Sequence, residues 1–228
     1  LFGLKTMDRQ YAWREKIGLI SFILVVGAII AFLTFGFTRT TCTNLTKRMK
    51  QQDLTTEYIV VNGRAYNLTG SGHPAVPGIL DSANILYPPT NAGGKDASLL
   101  FQNVNGNCKG LIVPREGSSI PTNDKGDLAW YMPCKLLELD GSTKPNFVWD
   151  YYYGYACHTS ANSRTDFYNL IVQGDLYYSW DDISSSDRNL RVYNGQVIDM
   201  GFIDWIQTGD LSYPDLFDQI KDDKSLIG

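Results

Sequence analysis

The chain has 228 residues, 43% of them hydrophobic and 19% charged, with a formal net charge of −4. That length carries one or two domains with a sizeable core. The aromatic content of 13% excludes a disordered chain, and the acidic balance excludes a nucleic-acid partner held by charge.

Residues 1–16 read as a cytosolic juxtamembrane segment. From Ile17 to Phe37 the sequence IGLISFILVVGAIIAFLTFGF holds no charged residue. At helical rise that stretch crosses a hydrocarbon core of about 30 Å. A transmembrane helix is therefore expected over residues 17–38, with Tyr11 and Trp13 as interfacial anchors beside Arg14 and Lys16. The first residue is Leu, and the expectation is a piece of a longer membrane protein. Lys5, Arg9, Arg14 and Lys16 before the helix balance Arg39, Lys47, Arg48 and Lys50 after it, so flanking charge does not orient it. Cys42, Cys108, Cys134 and Cys157 all follow the helix, as do the sequons Asn44-Leu-Thr46 and Asn67-Leu-Thr69. Both features favour a lumenal or extracellular side for the rest of the chain. Four cysteines permit three pairings, of which Cys108–Cys134 with Cys42–Cys157 is one.

Residues 39–56 read as a polar linker, partly helical around Leu45–Gln52. Residues 57–212 read as one extramembrane domain of short, mostly strand-like segments, so the fold class is α+β. In Tyr58–Leu68 two β-prone runs flank Asn62-Gly63, a dipeptide suited to the positive φ angles of a type I′ turn. Asn189–Met200 repeats the pattern on Asn194-Gly195. Gly70–Asp96 reads as a long loop. Strands are expected at Ser98–Phe101, Gly110–Val113, Asn146–Tyr153 and Leu170–Gln173, with a short helix around Asp166–Tyr168. Residues 213–228 form an acidic tail, helical over Tyr213–Lys224.

The chain has two histidines, His73 in Gly72-His-Pro-Ala-Val76 and His158 in Cys157-His-Thr-Ser160. The hairpin ending in Tyr66-Asn67 and followed by His73-Pro74 resembles the start of a cytochrome b5 domain, in which a His-Pro-Gly-Gly supplies one axial haem ligand. By that resemblance His158, followed by Gly174-Asp-Leu176, stands where the second ligand would be. The resemblance implies a cytochrome b5-like domain over residues 57–212, with His73 and His158 as candidate haem ligands. Two departures weigh against haem: Ala75 and Val76 replace the two glycines, and 84 residues separate the histidines. The expectation is no cofactor in this segment, with haem as the alternative.

The cysteines show no Cys-x-x-Cys spacing, so no zinc site is expected. Asp181-Asp182 reads as a solvated turn between strands and Ser184–Asp187 as a loop. No phosphate-cradling glycine loop occurs. The run Trp149-Asp-Tyr-Tyr-Tyr-Gly-Tyr155 reads as a core strand, or as rings that stack on a sugar. No catalytic constellation emerges.

Five longer stretches resemble fungal chitin synthase of the class IV type. They are Tyr11-Ala-Trp-Arg-Glu-Lys-Ile-Gly-Leu19 with Phe32–Thr38, Gly93-Gly-Lys-Asp-Ala-Ser98, Phe101-Gln-Asn-Val-Asn-Gly-Asn-Cys-Lys-Gly-Leu111, and Gly174-Asp-Leu-Tyr-Tyr-Ser-Trp180. The resemblance covers essentially the whole chain. It implies a membrane-bound parent that polymerises N-acetylglucosamine from UDP-N-acetylglucosamine into β-1,4-linked chitin for the cell wall. Such family 2 glycosyltransferases use a divalent metal, a carboxylate base and a Gln-x-x-Arg-Trp motif, and this sequence contains neither Glu-Asp-Arg nor Gln-x-x-Arg-Trp. The expected role is thus the non-catalytic anchored portion of the parent, at the plasma membrane or a secretory vesicle. Its expected partners are the membrane, the rest of the parent chain, and assembly or export factors. The alternatives are a haem-binding redox domain and a free-standing carbohydrate-binding ectodomain.

Overall fold

The computed structural model describes residues 6–41, 47–73, 84–88, 90–145 and 157–223. The chain divides into two compact units, Leu1–Leu45 and Thr46–Gly228.

In the first unit, helix α1 (Met7–Ala31) runs through a π-helical turn at Phe32–Gly36 into α2 (Phe37–Thr41). The stretch Met7–Gly36 has 30 residues with a mean hydropathy of 2.7 over its most apolar window, and none of that window is buried. It is long and apolar enough to cross a bilayer. The helix starts well ahead of Ile17 because Gln10, Ala12, Arg14, Glu15 and Lys16 are strong helix formers, with Asp8 in the first turn. At the π turn the Thr34 hydroxyl donates to the Ile30 carbonyl at 2.8 Å, a side-chain bond of the kind that competes with the helical ladder. A π turn of this type is usually a single-turn bulge within an α-helix.

The second unit is α+β. Its main element among the described residues is a six-stranded mixed sheet in the order β1-β7-β3-β2-β4-β6. These strands are β1 (Lys47–Met49), β2 (Tyr58–Val61), β3 (Arg64–Asn67), β4 (Lys95–Asp96), β6 (Leu137–Glu138) and β7 (Val172–Leu176). Strand β5 (Val113–Pro114) pairs with β10 (Leu211–Ser212), and β8 (Leu190–Tyr193) pairs with β9 (Gln196–Asp199). Both expected hairpins form. Asn62 and Gly63 take φ of 50° and 74°, and Asn194 and Gly195 take 48° and 74°. Such positive values match the right-handed twist of the flanking strands.

Ile59, Val60 and Val61 are all buried, so β2 is covered on both faces and reads as a continuous apolar run. Ile59, Val61, Tyr66, Leu68 and Phe101 form one core cluster, while Val104, Ile112, Leu128, Trp130, Cys134 and Leu211 belong to a second. Each such side chain contributes about 1.5–3 kcal/mol through burial. Gly174 lets β7 approach β1, since a Cβ there would press on the Lys47 carbonyl and the Met49 side chain.

Several segments differ from the sequence expectation. Lys47–Met49, expected within a partly helical linker, is an edge strand running parallel to β7 with Met49 buried. Ser98–Phe101 is a 3-10 helix, because Asp96 Oδ1 accepts from the Ser98 N–H at 2.7 Å and turns the chain. The stretch before Val113 is a turn in which the Cys108 carbonyl accepts from both Leu111 and Ile112 N–H groups at 3.0 Å. Asp181-Asp182 lies in the short helix α4 (Trp180–Ser184), opened by a capping box between Ser179 and Asp182. Helix α3 (Ala161–Tyr168), capped by Ser160, contains the expected Asp166–Tyr168, and α5 (Leu216–Asp222) lies within the acidic tail. The expected strand Asn146–Tyr153 lies outside the described residues.

Candidate functional site

His73 and His158, far apart in sequence, meet in the second unit, with ring centroids 6.3 Å apart and planes at 86°. His158 stacks on Phe101 at 4.5 Å, and Phe101 in turn packs on Phe167, which reaches Tyr66 at 4.8 Å. Arg164 at α3 fixes this corner, donating from Nε to the His158 carbonyl at 2.9 Å and from Nη2 to the Gln102 carbonyl. Two imidazoles ligate haem only across a pocket that accepts the macrocycle. One face of the His158 ring is taken up by Phe101, which packs in turn on Phe167.

Cys134 is bonded to Cys157, with Cα atoms 5.2 Å apart, and Cys108 carries a free thiol. This replaces the pairing of Cys108 with Cys134. The turn preceding α3 brings Cys157 back against Cys134, which is 1% exposed in the second core cluster, while Cys108 packs at that cluster's margin. Cys42 and Asn44 lie outside the described residues, as does the aromatic run Trp149–Tyr155. Asn67 is exposed at the end of β3, and its Oδ1 accepts from the Thr69 N–H at 2.8 Å. The sequon is therefore presented on the surface in a turn. Among the described residues no group of three or more metal-ligating side chains gathers.

The most elaborate polar site is one that sequence reasoning missed. Between the β4–β6 margin of the sheet and the β8–β9 hairpin lies a cleft of about 530 Å³. Glu138, Leu139, Tyr178, Asp187 and Arg188 also line an adjoining cavity of about 540 Å³, which reaches Lys50, Tyr177 and Asp182. Arg188 stands between them. Its Nε and Nη2 donate to Asp199 Oδ2 at 3.2 and 2.8 Å, its Nη1 donates to the Leu139 carbonyl at 3.2 Å, and its guanidinium lies over the Tyr178 ring at 5.6 Å. Lys221 of α5 pairs with Asp204 at 2.8 Å on the far wall. Asp96 sits at the base, where burial pushes its carboxyl above the usual range despite hydrogen bonds from Ser98 and the nearby charge of Arg188.

Arg191 belongs to the same cleft and differs in kind. It is 7% exposed, and its Nη1 donates to the Leu190 carbonyl at 2.9 Å. Its Nε and Nη2 are buried and have no acceptor among the described residues. The signal in sequence is an arginine inside an otherwise apolar strand pattern, Leu190-Arg-Val192. Nothing local reveals that both faces of this strand end are covered. Chemically the cleft offers charge recognition, through the ion pairs of Arg188 with Asp199 and Lys221 with Asp204.

A family model described as the Chitin synthase 4-like domain matches residues 176–228, which contain Arg188, Arg191, Asp199 and Lys221. Chitin synthase 3 of Candida albicans is 58% identical over 228 residues, covering 100% of this chain and 19% of that protein. Chitin synthase 3 of Saccharomyces cerevisiae is 50% identical over 219 residues, covering 96% of this chain and 19% of that protein. Chitin synthase C of Emericella nidulans is 46% identical over 228 residues, with coverage of 100% and 19%. The chain thus spans about one fifth of the length of these curated relatives. No solved structure matches it.

Proposed function

The chain is a segment of the fungal chitin synthase family, and we propose that it is the non-catalytic, membrane-anchored portion of such an enzyme. One observation carries this reading. A helix of 30 residues with none of its apolar window buried is joined, in a chain similar to chitin synthases throughout, to a folded unit. In this reading the parent polymerises N-acetylglucosamine from UDP-N-acetylglucosamine, and the divalent metal and acceptor-side motif belong to another part of it.

The folded unit faces the lumen or cell exterior in this proposal. The Cys134–Cys157 disulfide supports that side, since such bonds persist in oxidising compartments. The exposed Asn67 sequon supports it too. The cytochrome b5-like reading of residues 57–212 rests on the Asn62-Gly63 hairpin leading toward His73, and the proposal assigns this segment no haem.

The test is incubation of the 228-residue chain in detergent with labelled UDP-N-acetylglucosamine and magnesium. No chitinase-sensitive polymer is expected. Polymer above the level of a mock preparation would overturn the non-catalytic assignment.

A further inference from the structure

We infer that Asn67 is an N-glycosylation site, its amide nitrogen joined to the first sugar of an oligosaccharide, and that Asn44 is not. The inference rests on the reading that places the folded unit on the lumenal or outer side. The sequence holds two acceptor triplets, Asn44-Leu-Thr46 and Asn67-Leu-Thr69. Transfer needs the triplet, and a folded unit that carries the glycan also needs open space at its asparagine.

Burial alternates along the end of β3. Tyr66 and Leu68 are 1% and 2% exposed and sit in one core cluster, while Asn67 and Thr69 are exposed. A strand's period of two gives this alternation, so the Asn67 amide and the Thr69 hydroxyl that acceptor chemistry needs lie outside together. Past Leu68 the chain turns. The Ser71 N–H donates to the Leu68 carbonyl at 2.9 Å, and Gly70 takes a φ of +77°, which suits the third residue of a type II turn. The pairing of β3 with β7 ends with Tyr66 opposite Val172, so β7 does not cover Asn67.

The two ends of the amide have different tasks. Oδ1 accepts from the Thr69 N–H at 2.8 Å, which holds the side chain in an Asx turn over the triplet. Nδ2 donates to no group among the described residues. In the transfer, Nδ2 attacks the anomeric carbon of a lipid-linked pyrophosphate oligosaccharide. The C–N bond forms as the C–O bond to pyrophosphate breaks. The lipid pyrophosphate leaves, and Nδ2 releases one of its two protons to solvent. Oδ1 keeps its bond to Thr69, so the folded unit gives up no hydrogen bond to carry the glycan.

Asn44 differs. It follows Thr41, the end of α2, by three residues, a reach of about 10 Å at full extension. That keeps it beside the headgroup layer, where a transferring enzyme has no room to close over it.

The experiment translates the 228-residue chain into sealed endoplasmic-reticulum microsomes, with a C-terminal tag that carries an acceptor triplet of its own. Products are resolved by electrophoresis before and after peptide N-glycosidase, and the peptide containing Asn67 is read by mass spectrometry. Two glycans are expected, one on the tag and one on Asn67, where the glycosidase leaves an aspartate. Asn67→Gln and Thr69→Ala should each remove one glycan, and Thr69→Ser, which keeps the hydroxyl, should retain it. Asn44→Gln should change nothing. Transfer acts on the emerging chain, so a variant that folds poorly still gives an answer. A modified tag beside an unmodified Asn67 overturns this inference and leaves the lumenal placement standing. An unmodified tag together with an unmodified Asn67 overturns the placement, and the inference falls with it. A glycan lost in Asn44→Gln overturns the choice between the two triplets.

Discussion

Arg188 grips a single oxygen of Asp199, Oδ2, from Nε and Nη2 at 3.2 and 2.8 Å, while Oδ1 of the same carboxylate caps the 3-10 helix Met200–Trp205 through the Gly201 N–H at 3.0 Å. One carboxylate therefore ties the entry of the β8–β9 hairpin to its exit. Both side chains are 18% exposed, so solvent screens the pair only partly. Arg188→Met should cost about 2 kcal/mol, because it leaves Asp199 and the Leu139 carbonyl without that donor. Urea unfolding of the chain in detergent measures the loss, and an unchanged midpoint would refute it.

The disulfide makes a second prediction. Closing a loop between Cys134 and Cys157, 23 residues apart, contributes about 3 kcal/mol by constraining the unfolded chain. Cys157→Ser should lower stability by that order, and Cys108→Ser should not. Peptide mapping without reduction should find Cys134 linked to Cys157 and Cys108 alkylated. A Cys108–Cys134 peptide would contradict the structure.

Two glycines separate conformational freedom from close packing. Gly63 has φ of +74° and open space around its Cα, so Gly63→Ala should cost about 1 kcal/mol through backbone strain alone. At Gly93 an added methyl would run into the Thr56 carbonyl oxygen, with the Leu86 carbonyl at 3.2 Å. Backbone cannot give way as a side chain does, and Gly93→Ala should cost about 3 kcal/mol. Thermal midpoints of the two variants should fall in that order, and the reverse order would count against the packing described around Thr56.

Asp96 sets a pH dependence. Burial raises its folded-state pKa above the unfolded value. The stability tied to its neutral form is fully present below the unfolded pKa and is lost as pH rises through the folded one. Asp96→Asn keeps an oxygen for the Ser98 donors and removes the charge. Its midpoint should match the wild type below about pH 4 and exceed it at neutral pH. A variant less stable than wild type at neutral pH would refute the buried-charge account.

The sequence shows its local chemistry readily and its long-range pairing hardly at all. Asn62-Gly63 and Asn194-Gly195 announce their turns because positive φ is a property of the dipeptide itself. The apolar helix is legible for the same reason. Ser98–Phe101 misleads, since an apolar run of four fits a strand until the Asp96 side chain takes the Ser98 N–H and turns the chain. Cysteine partners are set by how distant segments pack, which residue spacing does not encode. The cleft is hidden on the same grounds, because Arg191 reads as an ordinary strand residue until the fold buries it.

The central claim is that this segment anchors in a membrane and presents its folded unit on the lumenal or outer side. Its most direct test is protease protection of sealed vesicles carrying the 228-residue chain, tagged after Gly228, with alkaline carbonate extraction of a parallel sample. The account predicts that the tag stays with the membrane pellet and resists protease until the vesicles are permeabilised. A tag released by carbonate, or digested in intact vesicles, would contradict it.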